Sequence, residues 1–137
     1  MSSYDSNDMS RPDMSVSIGG LKLSSFLIIA SGVWPHDVKF WRKPYTEGVG
    51  AICSKGLTRH PKSGNRGLRI WETPSGLLNS IGLQNEGLQA FIEKELPEIS
   101  SAKIPVVVNL AVETIEETKE GLIMLRSVAN HIAAVEL

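Results

Sequence analysis

The chain has 137 residues, 42% of them hydrophobic, which is enough for a folded core in one domain. Fourteen basic residues stand against fifteen acidic ones, and a formal charge of -1 argues against a protein that meets nucleic acid or a membrane surface through a broad basic patch. The single cysteine excludes an internal disulfide framework or a cysteine zinc cluster and suits a reducing, cytoplasmic setting. No apolar run approaches the ~18 residues that a membrane span needs. The polar opening MSSYDSNDMSRPD has no secretory apolar core, so residues 1–13 are expected as a disordered lead-in, Met14 as an alternative start, and 14–137 as the folded domain.

Ser15 to Ile18 and Leu21 to Leu23 flank Gly19-Gly20, a pair that accepts the positive φ angles of a two-residue turn, which predicts a small hairpin. Phe26 to Ala30 is a continuous apolar run broken by Ser31-Gly32, the pattern of a strand buried on both faces. Val38, Trp41 and Tyr45 recur at helical spacing, predicting an amphipathic helix over 36–46 that Pro44 can end early. Gly48 and Gly50 lead into a second strand, Ala51 to Ser54. From Lys55 to Gly76 the chain reads as a loop with an extended piece around Leu68 to Trp71, longer than a structural connection requires.

A helix is predicted from Glu86, capped by Asn85, burying Leu88, Phe91, Ile92 and Leu96 and ending at Pro97. Ile104 to Leu110 is the next strand, with Asn109 its lone polar side chain near the far end. Thr114 and Glu117 form a capping box before a helix whose apolar face is read as Ile115, Leu122, Leu125 and Ala129, with Asn130 able to terminate it. Ile132 to Leu137 is a further strand. Strands alternating with helices imply parallel pairing with right-handed crossovers, in an open doubly wound sheet or a (β/α) barrel. The first strand is not followed by GxGxxG, so the open sheet lacks its dinucleotide fingerprint.

In a parallel sheet Ser31, Lys55 and Asn109 each follow a different strand on its carboxyl side, so they converge at one face although they are distant in sequence. The segment Asn79-Ser80-Ile81-Gly82-Leu83-Gln84-Asn85 adds amides, a hydroxyl and a glycine whose backbone N–H groups can approach a small anion. Plainer readings cover the other conspicuous residues. Cys53 lies inside an apolar strand and reads as a small buried thiol. His36, His60 and His131 lack a ligand spacing, so no metal is expected. Trp34, Trp41 and Trp71 read as packing, Glu113, Glu116, Glu117 and Glu120 as helix-start and solvated charge, and Arg69 with Glu72 as an ion pair.

SKGLT at Ser54 to Thr58, GN at Gly64-Asn65 and ETPSGLLNSIGLQN at Glu72 to Asn85 resemble the class 1 dihydroorotate dehydrogenases, and NSIGLQN is similar to the 1B branch. The resemblance runs from Val16 to Leu137 and takes in GLKL, the ASG of Ala30 to Gly32 and VVVNLA at Val106 to Ala111, while GNRGLRI stands where the family usually has prolines. It implies the N-terminal half of a (β/α)8 TIM barrel preceded by the hairpin, binding FMN and oxidising dihydroorotate to orotate in pyrimidine (UMP) biosynthesis. By resemblance Ala30, Ser31, Lys55, Gly56 and Asn109 contact FMN, and Lys55, Asn79, Ser80, Ile81, Gly82 and Leu83 contact dihydroorotate or orotate. The general base implied is a cysteine in a segment like NISCPN beyond Leu137, as are later phosphate-binding loops. A homo- or hetero-oligomer is implied too, with an electron-transfer subunit carrying FAD and an iron-sulfur cluster and with NAD as acceptor. The competing expectations are a truncated, non-catalytic assembly fragment and a dihydropyrimidine dehydrogenase-like reductase, which substrate turnover separates.

Overall fold

The computed structural model describes residues 12–35, 37–42 and 45–137 of the chain. Most of the lead-in expected at 1–13, together with His36 and Pro44, lies outside those residues. Strands β1 (Val16–Ile18) and β2 (Leu21–Leu23) pair antiparallel with Ile18 opposite Leu21. Gly19 and Gly20 carry φ angles of 54° and 87°, so both turn positions are left-handed, as the glycine pair predicts.

Strands β3 (Ile28–Ile29) and β4 (Ala51–Cys53) are parallel, with Ile28 beside Ala51. β4 is buried throughout, but β3 is an edge strand and Phe26, Leu27 and Ile28 are exposed, so the expectation of burial on both faces does not hold. The reason is position: a continuous apolar run reports what a strand could bury, and among the described residues β3 has a neighbour on one side only. Between them the expected helix over 36–46 is a 3-10 turn, Val38–Trp41. Asp37 accepts a hydrogen bond from the Lys39 backbone N–H, and the Trp41 indole donates to the Pro35 carbonyl, so the chain folds back within one turn with Trp41 as its buried anchor.

The long loop after β4 contains a second antiparallel hairpin that the sequence reading did not resolve, β5 (Ile70–Thr73) and β6 (Gly76–Asn79), turning at Pro74-Ser75. Its Ile70, Trp71, Leu77 and Leu78 are all exposed. Arg69 does not pair with Glu72 as expected, because its guanidinium donates to the Gln84 side chain at 2.7 Å.

The next helix begins at Leu88, with Gly87 as its cap, rather than at Glu86 with Asn85 as cap. It runs as α1 (Leu88–Ala90), a π-helical stretch Phe91–Glu95 and α2 (Leu96–Ser100), burying Leu88, Phe91, Leu96 and Ile99. Pro97 does not end it. The Leu96 N–H bonds back five residues to Phe91 O, and that wider turn accommodates a proline, which has no N–H and crowds the carbonyl four residues earlier.

Strand β7 (Val106–Asn109) lies beside β4, and β8 (Ala134–Glu136) completes a parallel sheet in the order β3-β4-β7-β8. Helix α3 (Ile115–Arg126) joins them, and Thr114 accepts from the Glu117 N–H while the Glu117 carboxylate accepts from Glu113 N, a capping box displaced by one residue. The buried face of α3 is Gly121 and Leu125, whereas Ile115 and Leu122 are exposed. A Cβ at Gly121 would lie 2.8 Å from Leu110 Cδ2, so the glycine selects the face by letting the helix approach the sheet. The helix ends at Arg126 with Ser127 in ordinary helical geometry, and Asn130 sits in a 3-10 turn, Ala129–His131, instead of terminating α3. Of the four glutamates at its start, Glu113 pairs with Lys62 and Glu120 with Arg59, which ties the loop after β4 to this helix. No helix among the described residues is long and apolar enough to cross a membrane.

Candidate functional site

Side chains alternate along a strand, so each strand of the sheet has two faces. Val106 and Val108 are buried in the core with Phe91, Leu96 and Leu125, while Val107 and Asn109 point to the other face. Register then aligns Cys53 with Val107 and Asn109 with Glu136, so Cys53, Lys55, Asn109 and Glu136 occupy the second face at or near the carboxyl ends of three adjacent strands.

Lys55 is half-buried, and its side-chain ammonium has no hydrogen-bond or ion-pair partner among the described residues. Its side chain crosses the turn after β3: a Cβ on Gly32 would stand 3.3 Å from Lys55 Nζ and 3.7 Å from Cδ. Gly56 is buried, and a Cβ there would stand 3.1 Å from Asn109 Oδ1, 3.6 Å from Leu83 Cδ2 and 3.7 Å from Ala111 Cβ. Ser54 knits the two strand ends, accepting from the Asn109 N–H at 3.0 Å and donating to Lys55 O at 2.9 Å. Lys55, Leu57, Ile81, Gln84, Asn85, Glu86 and Glu95 surround a cavity of about 450 Å3.

Two asparagines hold the segment over this site. The Asn65 amide donates to Ser80 Oγ at 2.8 Å, and its backbone N–H donates to Ile81 O at 3.0 Å. Asn85 Oδ1 accepts from the N–H groups of Thr58 and Gly87, while its amide nitrogen donates to Thr58 Oγ1 and, at 2.6 Å, to Leu83 O. Leu83 is thereby held at φ 55°, a left-handed conformation costing a non-glycine residue about 1–2 kcal/mol. Gly82 takes φ 75°, and a Cβ on it would reach 2.6 Å from Asn65 Oδ1.

The expected site residues therefore divide. Lys55, Gly56, Asn109, Ile81 and Leu83 come together, with Ala30 and Ser31 in the turn that Lys55 crosses. Asn79 and Ser80 are exposed, Asn79 opposite Ile70 at the end of β6 and Ser80 bonded to Asn65. The sequence does not single out Asn65 or Glu136 as site residues, and it offers Asn85 both as a member of the amide-bearing segment and as a helix cap. The first had a signal in the GN pair, but the work of all three depends on contacts across the fold.

Cys53 is buried, as expected. Burial first, and then the Glu136 carboxylate, push its thiol above the ordinary value of 9.0. A raised folded value means that the folded chain keeps a proton which the unfolded chain gives up, so this contribution is whole below pH 9.0 and is lost as pH rises through the folded value. Urea unfolding across that range is expected to show a steeper alkaline loss of stability in the wild type than in Cys53→Ala; parallel curves would contradict it.

Four parallel strands with polar groups gathered at their carboxyl ends define part of a (β/α) barrel, with the candidate site at that end. Residues 13–137 match the family model described as dihydroorotate dehydrogenase, and the chain belongs to that family. It is 44% identical over 129 residues to the dihydroorotate dehydrogenase B (NAD(+)) catalytic subunit of Geobacter sp. (strain M21), covering 94% of this chain and 42% of the relative. It is 48% identical over 105 residues to the protein of the same name in Thermoanaerobacter pseudethanolicus, covering 77% of this chain and 35% of that one. The chain thus spans about two-fifths of the length of these relatives. Among solved structures, that of the Eimeria tenella enzyme in complex with ferulenol superposes with a TM-score of 0.66 at 20% identity, covering 94% of this chain and 37% of the other, a likeness of fold.

Proposed function

We propose that this chain forms the flavin and substrate face of a dihydroorotate dehydrogenase, a cytoplasmic oxidoreductase that converts dihydroorotate to orotate in pyrimidine biosynthesis. The observation that carries the reading is Lys55, a half-buried ammonium without a partner among the described residues, placed where strand ends converge. Such a group is costly in a structural role and useful opposite an anion.

The residues present fit FMN. Gly32 and Gly56 keep the strand ends flat where a Cβ would strike Lys55 Nζ or Asn109 Oδ1, leaving room for a planar ring, and Leu83 offers an apolar contact across Gly56. Ala30, Ser31, Lys55, Gly56 and Asn109 would hold the cofactor, which when bound supplies the acceptor for two electrons and a proton. Lys55 would also hold dihydroorotate, its ammonium countering the negative charge of the substrate carboxylate and the negative charge that the cofactor ring would gain with the electrons. The backbone of Ile81, Gly82 and Leu83, with Asn79 and Ser80, would orient the ring and its carboxylate. Cys53, buried and with its thiol pushed up, is unsuited to take the proton. That role belongs to the cysteine which the family resemblance puts after Leu137. The relatives' names include NAD(+) and a catalytic subunit, which supports NAD as acceptor and a separate partner subunit; that this partner transfers electrons through FAD and an iron-sulfur cluster is what the family resemblance implies.

The test is to load the protein with FMN, follow the quenching of flavin fluorescence, and add dihydroorotate without oxygen. Bleaching of the flavin band is expected in the protein that includes the cysteine base. Failure to retain FMN, or retention without bleaching, would overturn the reading.

A further inference from the structure

Glu136 and Asn109 stand side by side in the register of β7 and β8, on the face of the sheet that carries Lys55. The Asn109 amide nitrogen donates to Glu136 Oε2 at 2.8 Å. That bond decides which end of the amide faces the site, because with the nitrogen turned to β8 the oxygen is the atom lying over Gly56, 3.1 Å from where a Cβ would be. The other end of Asn109 is fixed as well, its N–H by Ser54 Oγ and its carbonyl by the Leu57 N–H.

We propose that Glu136 is a positioning residue: its carboxylate holds the Asn109 amide so that the strand end presents a hydrogen-bond acceptor, and no donor, to the flavin ring. This rests on the reading of the site as an FMN site. An asparagine free to flip offers either an oxygen or an NH2 group; a neighbouring carboxylate, which only accepts, removes the second choice. The orientation suits a ligand that brings an N–H to this edge, as the imide of a flavin does, and disfavours one that brings a carbonyl oxygen. Glu136 also adjoins the Cys53 thiol, whose raised pKa it shares in causing, so its carboxylate is tied to two strands of the same face.

The test uses the 15N-labelled protein, the variants Glu136→Gln and Glu136→Ala, and both Asn109→Ala and the double variant, each titrated with FMN by fluorescence quenching. Glu136→Ala is expected to weaken FMN binding roughly tenfold, in the range usual for partners that orient a ligand-holding group, and Glu136→Gln, which keeps an acceptor, about threefold or less. In the Asn109→Ala background Glu136→Ala is expected to change binding by less than about twofold, since a residue acting through Asn109 has nothing left to position. The Asn109 side-chain amide resonances are expected to sit downfield in the wild type and to move upfield in Glu136→Ala. An equal loss from Glu136→Ala with and without Asn109, or no loss, would overturn the proposal. If the wild type itself binds no FMN, the dehydrogenase reading falls, and the amide resonances still decide: unchanged in Glu136→Ala, they refute the positioning role.

Discussion

Lys55→Met in the FMN-loaded protein is expected to bleach the flavin with dihydroorotate about 100- to 1,000-fold more slowly than the wild type, the usual cost of removing one preorganised charge from a developing anion. Methionine keeps most of the length and apolar bulk of the side chain that crosses Gly32, so packing there changes little while the ammonium is lost. Stability is expected to stay level or to rise, because the Lys55 side chain makes no ion pair or hydrogen bond among the described residues and the substitution exchanges a half-buried ammonium for an apolar group of similar length. The opposite signs make the prediction specific. A lysine held for structure would lose both, and a solvated surface lysine would lose neither. Anaerobic stopped-flow reduction and urea unfolding of the same preparation measure the two, and a rate within threefold of wild type would remove Lys55 from the site.

The largest expected loss of stability is Gly50→Ala. A Cβ there would stand 1.9 Å from Ser25 O, 2.8 Å from its carbonyl carbon and 3.3 Å from its nitrogen, so the obstruction is backbone and cannot rotate away. Nor can the backbone retreat easily. The Gly50 N–H donates to Leu27 O at 2.8 Å, and buried Ser25 accepts from the Leu27 N–H through Oγ, so one short stretch both blocks the methyl and fastens β3 to β4. Overpacking of this kind costs about 3 kcal/mol or more where relief requires backbone movement, a large share of the ~5–15 kcal/mol that holds a domain together. Any relief also moves the turn after β3 and with it Gly32 under Lys55, so flavin affinity is expected to fall with the urea midpoint. A midpoint equal to wild type would show that Ser25 gives way at no cost.

What the sequence disclosed was whatever chain-local chemistry dictates. The glycine pair at 19 and 20 set a hairpin, Thr114 and Glu117 capped α3, and short apolar runs ending in Lys55 and Asn109 gave parallel strands whose ends meet. The features it hid are those decided by a neighbour. The β5–β6 hairpin exposes Ile70, Trp71, Leu77 and Leu78, so no alternation of apolar and polar residues announced it. Pro97 looked like a stop because a sequence does not advertise a π turn five residues wide. The face of α3 is legible at Leu125 but not at Ile115 and Leu122, because Gly121 scores as nothing in an apolar pattern, yet it permits the close approach to Leu110. Asn65, Asn85 and Glu136 are ordinary residues until the fold brings Ser80, Thr58 and Asn109 beside them.

The tether of the segment above Lys55 consists of amides, hydroxyls and backbone, through Asn65 to Ser80 and Ile81 and through Asn85 to Thr58, Gly87 and Leu83. None of those groups gains or loses a proton at any pH a cell meets, and none carries a charge for salt to screen. The clasp on the far side of the loop is the reverse, two ion pairs, from Arg59 to Glu120 of α3 and from Lys62 to Glu113 just before the helix. Acidity and ionic strength can therefore loosen the outside of the loop while its inner rim keeps its shape. A pH profile of the reaction would then report the reacting groups themselves rather than the frame around them.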